Sequence, residues 1–132
     1  MASSHRSIAT GTEVLRSFLP AKDFALSREF YLTLGFTPIL DAEVVIFRIG
    51  AGEFILQDYY EQHWAENTMV QLVVEDLEAW WSFVQSLELP KHFGVPEPRP
   101  PEEQPWGLTV SYLIDPSHVL WHVVQHPGIA EA

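Results

Sequence analysis

Cysteine is absent from this 132-residue chain, so it can form no disulfide, thiolate nucleophile or thiolate metal site. Cations are scarce: seven Lys and Arg stand against eighteen Asp and Glu, a formal charge of −11. Nucleic-acid binding draws on clustered cations, so no nucleic-acid partner is expected. Long apolar runs are missing as well. No stretch approaches the ~20 apolar residues that cross a bilayer. The opening MASSHRSIATG lacks the apolar block of a secretion signal, so the expectation is a cytoplasmic protein with no membrane partner. Any chemistry must rest on carboxylates, histidines, hydroxyls or a borrowed cofactor.

What is present suits a single folded core. Residues 1–12 are small and polar without periodicity and read as a flexible tail. A first strand over residues 14–19 stops at Pro20, and Asp23 is placed to cap a helix. Phe24, Ser27, Phe30, Tyr31 and Leu34 follow at helical spacing, with Gly35 at the C-cap position. Three β-rich runs come next, at 37–40, 43–49 and 53–60, parted by Asp41-Ala42 and Gly50-Ala51-Gly52.

The order then repeats. A strand over 69–74 leads through Glu75-Asp76 to an apolar helical stripe of Leu77, Trp80, Trp81, Val84 and Leu87. Proline and charge dominate 89–105, which reads as a loop with a short edge strand over 92–95. Strands over 108–114 and 118–125 close the chain around Asp115-Pro116-Ser117. Laid over each other, the helices match Asp23 to Asp76, Phe30 to Phe83 and Leu34 to Leu87; the closing hairpins match Phe47 to Tyr112 and Gln57 to His122.

The expected fold class is therefore α+β: one domain, 13–128, of two βαβββ modules, about 13–66 and 67–128. Their curled, mixed sheets form a cup with helices on its outer face. Strand alternation assigns the faces. With Phe54, Leu56, Val119 and Trp121 under the helices, Ile55, Gln57, Tyr59, Leu120, His122 and Val124 face the cup. The same parity carries Arg16, Arg48, Met69, Gln71, Thr109 and Ser111 there.

The phrase F-x-x-S-R-E-F-Y-x-x-L-G-F from Phe24 to Phe36 resembles the first-helix signature of the glyoxalase, bleomycin-resistance and extradiol-dioxygenase superfamily. V-E-D-L-E-A-W-W at Val74 to Trp81, Trp106-Gly107, Asp115-Pro116 and Leu120-Trp121-His122 are similar in kind and order, and the resemblance spans about residues 14–126. It implies a homodimer. It also implies metal-ligand vertices on the first and last strand of each module, which fall on Arg16, Gln57, Met69 and His122. Only His122 is a good ligand, and a guanidinium at one vertex repels a cation. The resemblance thus favours the bleomycin-resistance-like branch: a metal-free, cofactor-free dimer that sequesters a small apolar or aromatic ligand, such as an antibiotic or metabolite, and assigns no catalytic residue. The alternative is a lyase, isomerase or dioxygenase with one divalent metal near His122, Gln57 and Asp58.

The candidate ligand-binding residues are Arg16, Arg48, Gln57, Tyr59, Trp64, Gln71, Trp106, Ser111 and His122. Each has a plainer reading. Arg16 and Arg48 pair with Glu43 or another carboxylate, or meet a carbonyl or anionic ligand. Tyr59, Trp64 and Trp106 serve as flat walls, or as packing in the core or between subunits. His122 is a base or a lone ligand, or a hydrogen-bonding wall. The segment from Gln57 to Trp64 reads as an exposed loop.

Overall fold

Two aspartates start the two long helices alike in the computed structural model, which describes residues 8–126. Asp23 accepts the backbone N–H of Leu26 at 3.1 Å at the head of α2 (Phe24–Thr33), and Asp76 accepts that of Ala79 at 3.1 Å at the head of α4 (Leu77–Ser86). Each cap satisfies an N–H that the helix itself cannot. Before α2 lie α1 (Ile8–Gly11) and β1 (Arg16–Pro20); after it come β2 (Thr37–Asp41), β3 (Val44–Ile49), β4 (Gly52–Gln57) and α3 (Gln62–Glu66). The second half comprises β5 (Met69–Val74), α4, α5 (Leu89–Phe93), β6 (Arg99–Glu103), β7 (Thr109–Ile114) and β8 (Leu120–Gln125).

The α+β class and the two βαβββ modules expected from the sequence are both present. One four-stranded sheet has the order β1-β4-β3-β2 and the other β5-β8-β7-β6. In each, the first strand runs parallel to the last and the other pairings are antiparallel. The sheets are curled and unclosed, with β1 and β5 left as edges.

Three local readings need correction. Residues 89–105 are not a loop with a strand at 92–95. Pro90 sits in the first turn of α5, where a missing N–H costs nothing, and Gly94 ends that helix at φ +69°. Despite its prolines, R-P-P-E-E forms β6, because it is an edge strand whose register slips between Arg99 and Glu102. The segment from Gln57 to Trp64 is not all loop, because Glu61 caps α3 by accepting the N–H groups of His63 and Trp64 at 3.2 and 2.9 Å. Of the expected tail, residues 8–11 are helical and 1–7 lie outside the described residues; so do 127–128 at the other end.

The helix-covered faces of both sheets share one core. Phe54 of the first sheet and Trp121 of the second have ring centroids 5.7 Å apart, and Tyr31 of α2 lies 5.0 Å from Phe54 and 5.7 Å from Trp121. A buried polar chain crosses the same junction. The Tyr31 hydroxyl donates to Asp115 Oδ2 at 2.6 Å and accepts from Trp121 Nε1 at 3.0 Å. Asp115 Oδ1 accepts the N–H groups of Ser117 (2.8 Å) and Val119 (2.9 Å), and Ser117 Oγ accepts the N–H of Lys22 at 2.9 Å. The turn at 115–119 is thereby pinned to α2 and to the end of β1.

Burial, then the charge of Asp115, raise the Tyr31 hydroxyl well above its ordinary value, so it stays a donor. Tyr31→Phe leaves a buried carboxylate oxygen and a buried indole N–H unpartnered. The expected loss is about 2–3 kcal/mol of unfolding free energy, read as a lower urea midpoint with unchanged slope.

Candidate functional site

Opposite the shared core, each sheet presents a face that no helix among the described residues covers, on which Phe18, Met69 and Val73 are exposed. On the first sheet the register aligns Arg16 with Glu53, Arg48 with Glu53, Phe18 with Ile55 and Val44 with Gln57, so these side chains share the open face. Arg16 Nε donates to Glu53 Oε1 at 2.7 Å, and Arg48 donates through Nε and Nη2 to Glu53 Oε2 at 3.1 and 3.0 Å. Arg16 foremost, and then Arg48, hold the Glu53 carboxyl below the ordinary carboxylate range. Both arginines are therefore ion-paired, to Glu53 rather than to Glu43.

On the second sheet Met69, Gln71 and Val73 align with Leu120, His122 and Val124, and Tyr112 aligns with His122. His122 is the centre of this face. Its Nδ1 lies 3.3 Å from Gln71 Nε2, the ring of Trp106 stacks on it at 5.7 Å and 17°, and Tyr112 meets it edge-on at 5.4 Å. Trp106 is 56% exposed, so its outer face is free to receive a planar group. Tyr112 also lines a groove of about 510 Å3, together with Ile114, Leu120, Arg99, Glu102 and Gln104.

The expected residues thus separate into two groups. Arg16, Arg48 and Gln57 stand on the first sheet's open face; Gln71, Trp106 and His122 stand on or over the second's. Tyr59 and Trp64 pack against each other at 6.1 Å just beyond the end of β4. Ser111 is a correction. It aligns with Val123 on the helix side, is fully buried, and donates from Oγ to the carbonyl of Arg99. Thr109 shares that parity, so it too falls off the open face.

Tyr112, Arg99 and Glu102 were missed by the sequence reading. Tyr112 was recoverable from the alternation Val110, Tyr112, Ile114 against Val124, His122, Leu120. Arg99 and Glu102 were hidden by the prolines of β6.

The residues at the metal vertices do not fit a divalent ion. Arg16 is a cation tied to Glu53, Met69 offers a thioether and is 62% exposed, Gln57 offers a neutral amide, and His122 alone is an imidazole. Among the described residues no group of three His, Asp or Glu converges as a metal site needs.

No family model and no curated protein matches the sequence. Solved structures do. A bleomycin-binding protein in complex with bleomycin superposes with a TM-score of 0.73 at 27% identity, covering 87% of this chain and 99% of that one. The chain has the glyoxalase and bleomycin-resistance superfamily fold. A second structure of this superfamily, the bleomycin resistance determinant encoded on transposon Tn5, aligns with a TM-score of 0.71 and 25% identity over 88% of this chain and 99% of that one. The lactoylglutathione lyase of Agrobacterium tumefaciens has a TM-score of 0.65 at 17% identity, covers 90% of this chain and 97% of its own, and shares the fold alone.

Among the described residues no helix is long and apolar enough to cross a membrane.

Proposed function

We propose that this protein binds a small apolar or aromatic molecule, such as an antibiotic or a metabolite, as a cytoplasmic homodimer, holding the ligand without a metal ion and without altering it. The observation that carries this reading is the uncovered platform of Trp106, His122 and Tyr112 beside a groove of about 510 Å3. An aromatic ligand stacks on Trp106, and Gln71 and the imidazole of His122 supply polar contacts at its edge. The bleomycin-bound structure at 27% identity supports the ligand class, and the donor set at the vertices supports binding without a metal.

The homodimer rests on surface chemistry. Phe18, Met69 and Val73 are 48%, 62% and 49% exposed on the two open faces, next to the unpaired edges of β1 and β5. A second copy covers such surfaces at low cost, setting one copy's first sheet across from the other's second. In that arrangement Gln57, Tyr59 and Trp64 wall the ligand from the side facing His122.

Native mass spectrometry of protein purified without chelator tests the reading. It predicts a dimer whose excess mass is an organic ligand. A monomer, or a dimer holding stoichiometric zinc, iron, manganese or nickel that His122→Ala removes, would contradict it.

A further inference from the structure

The first sheet's open face carries a charge cluster that the reading above does not use. Two guanidiniums share the single carboxylate of Glu53, so the cluster keeps one net positive charge in a chain of formal charge −11. Its hydrogen bonding is also unsaturated. Arg16 gives only Nε to Glu53, and Arg48 gives Nε and Nη2, which leaves both Nη groups of Arg16 and Nη1 of Arg48 with no protein acceptor among the described residues.

The Glu53 side chain is 7% exposed, whereas those of Arg16 and Arg48 are 35% and 53% exposed. The carboxylate is thus the inner anchor and the guanidiniums are the outer, reachable part. Phe18, Ile46 and Ile55 lie in register next to them on the same face.

We propose that Arg16 and Arg48, held by Glu53, form a binding site for the carboxylate of a small molecule whose apolar body lies on Ile46 and Ile55. A planar carboxylate accepts from two guanidinium N–H groups at once, and the low polarity of the neighbouring side chains strengthens that pairing. Glu53 has two opposed effects. It orients the guanidiniums, and it competes with the ligand for their charge. The site goes beyond the proposed function, because no residue of the Trp106 platform takes part.

Calorimetric titration of the full chain with benzoate, and with benzamide as the neutral isostere, tests the proposal. Benzoate is expected to bind at least about tenfold tighter than benzamide, and Arg16→Met or Arg48→Met to weaken benzoate by about tenfold. Glu53→Gln is expected to tighten benzoate by about tenfold, which a cluster that only clamps strands together does not predict. Circular dichroism establishes that each variant is folded. Should a folded Glu53→Gln variant bind benzoate no better than wild type, or should benzoate and benzamide bind alike, the cluster is a strand clamp and the proposal fails. The platform is read separately, by Trp106→Ala and an aromatic ligand that carries no carboxylate, so failure of the platform reading and failure of this one are separable.

Discussion

Asp115→Ala is expected to destabilise the fold by about 4 kcal/mol, because it orphans three buried donors together: the Tyr31 hydroxyl and the N–H groups of Ser117 and Val119. The turn that Asp115 organises is also strained. His118 sits at φ +73°, in a region that non-glycine residues seldom occupy, and His118 N–H donates to the Asp115 carbonyl at 3.0 Å. Without the carboxylate no other acceptor among the described residues serves the N–H groups of Ser117 and Val119. A fall in the urea midpoint measures the loss.

The same residue makes a signed pH prediction. Burial raises the Asp115 carboxyl above its ordinary value, against the lowering effect of the Tyr31 hydroxyl. A raised acid contributes stability that is fully present below its unfolded value, near 3.8, and is lost as pH rises through the folded value. The stability difference between wild type and Asp115→Asn should therefore shift against wild type as pH climbs from about 3 to about 7. Asp41, lowered by its hydrogen bonds from Arg28, and Glu53, lowered by Arg16, act in the opposite sense: their contribution is lost as pH falls. Taking the difference from the Asn variant cancels both. A difference that instead moves in favour of wild type with rising pH would reverse the account of Asp115.

Trp106→Ala carries the largest expected effect on binding. Trp106 covers one face of the His122 ring and leaves its own outer face open, so its removal takes away a stacking surface with little effect on the core. Loss of a central aromatic anchor weakens binding by about 2 kcal/mol, roughly thirtyfold in Kd. The melting temperature should change little. A Trp106→Ala protein that binds an aromatic ligand as well as wild type does would remove the platform from the site.

The sequence is most legible where one physical rule acts alone. Asp23 and Asp76 announce their helices because a helix start needs an acceptor, and alternation around Phe54, Leu56 and Trp121 correctly separates the core from the open faces. It misleads at the closing hairpin. Superposing Phe47 on Tyr112 assumes equal turns, yet Ile49 pairs with Gly52 across two residues, whereas Ile114 pairs with Leu120 across five, 115–119. The longer turn reverses the parity. Phe47 is buried in the core while Tyr112 faces the site, and Ser111 moves to the inside. β6 escapes detection for another reason, since an edge strand tolerates prolines that a central strand excludes. Nor does parity reveal that Arg16 and Arg48 would meet on Glu53, because that depends on which strands become neighbours.

The central claim is that the open face by the Trp106 platform holds an aromatic small molecule with no metal taking part. It is tested most directly by titrating aromatic small molecules into protein stripped with a chelator, and into protein supplied with zinc or manganese, while following heat and tryptophan fluorescence. The account predicts saturable binding with the same affinity in both preparations, and ligand recovered unchanged. Binding that appears only when metal is added, or ligand recovered as a product, would contradict it.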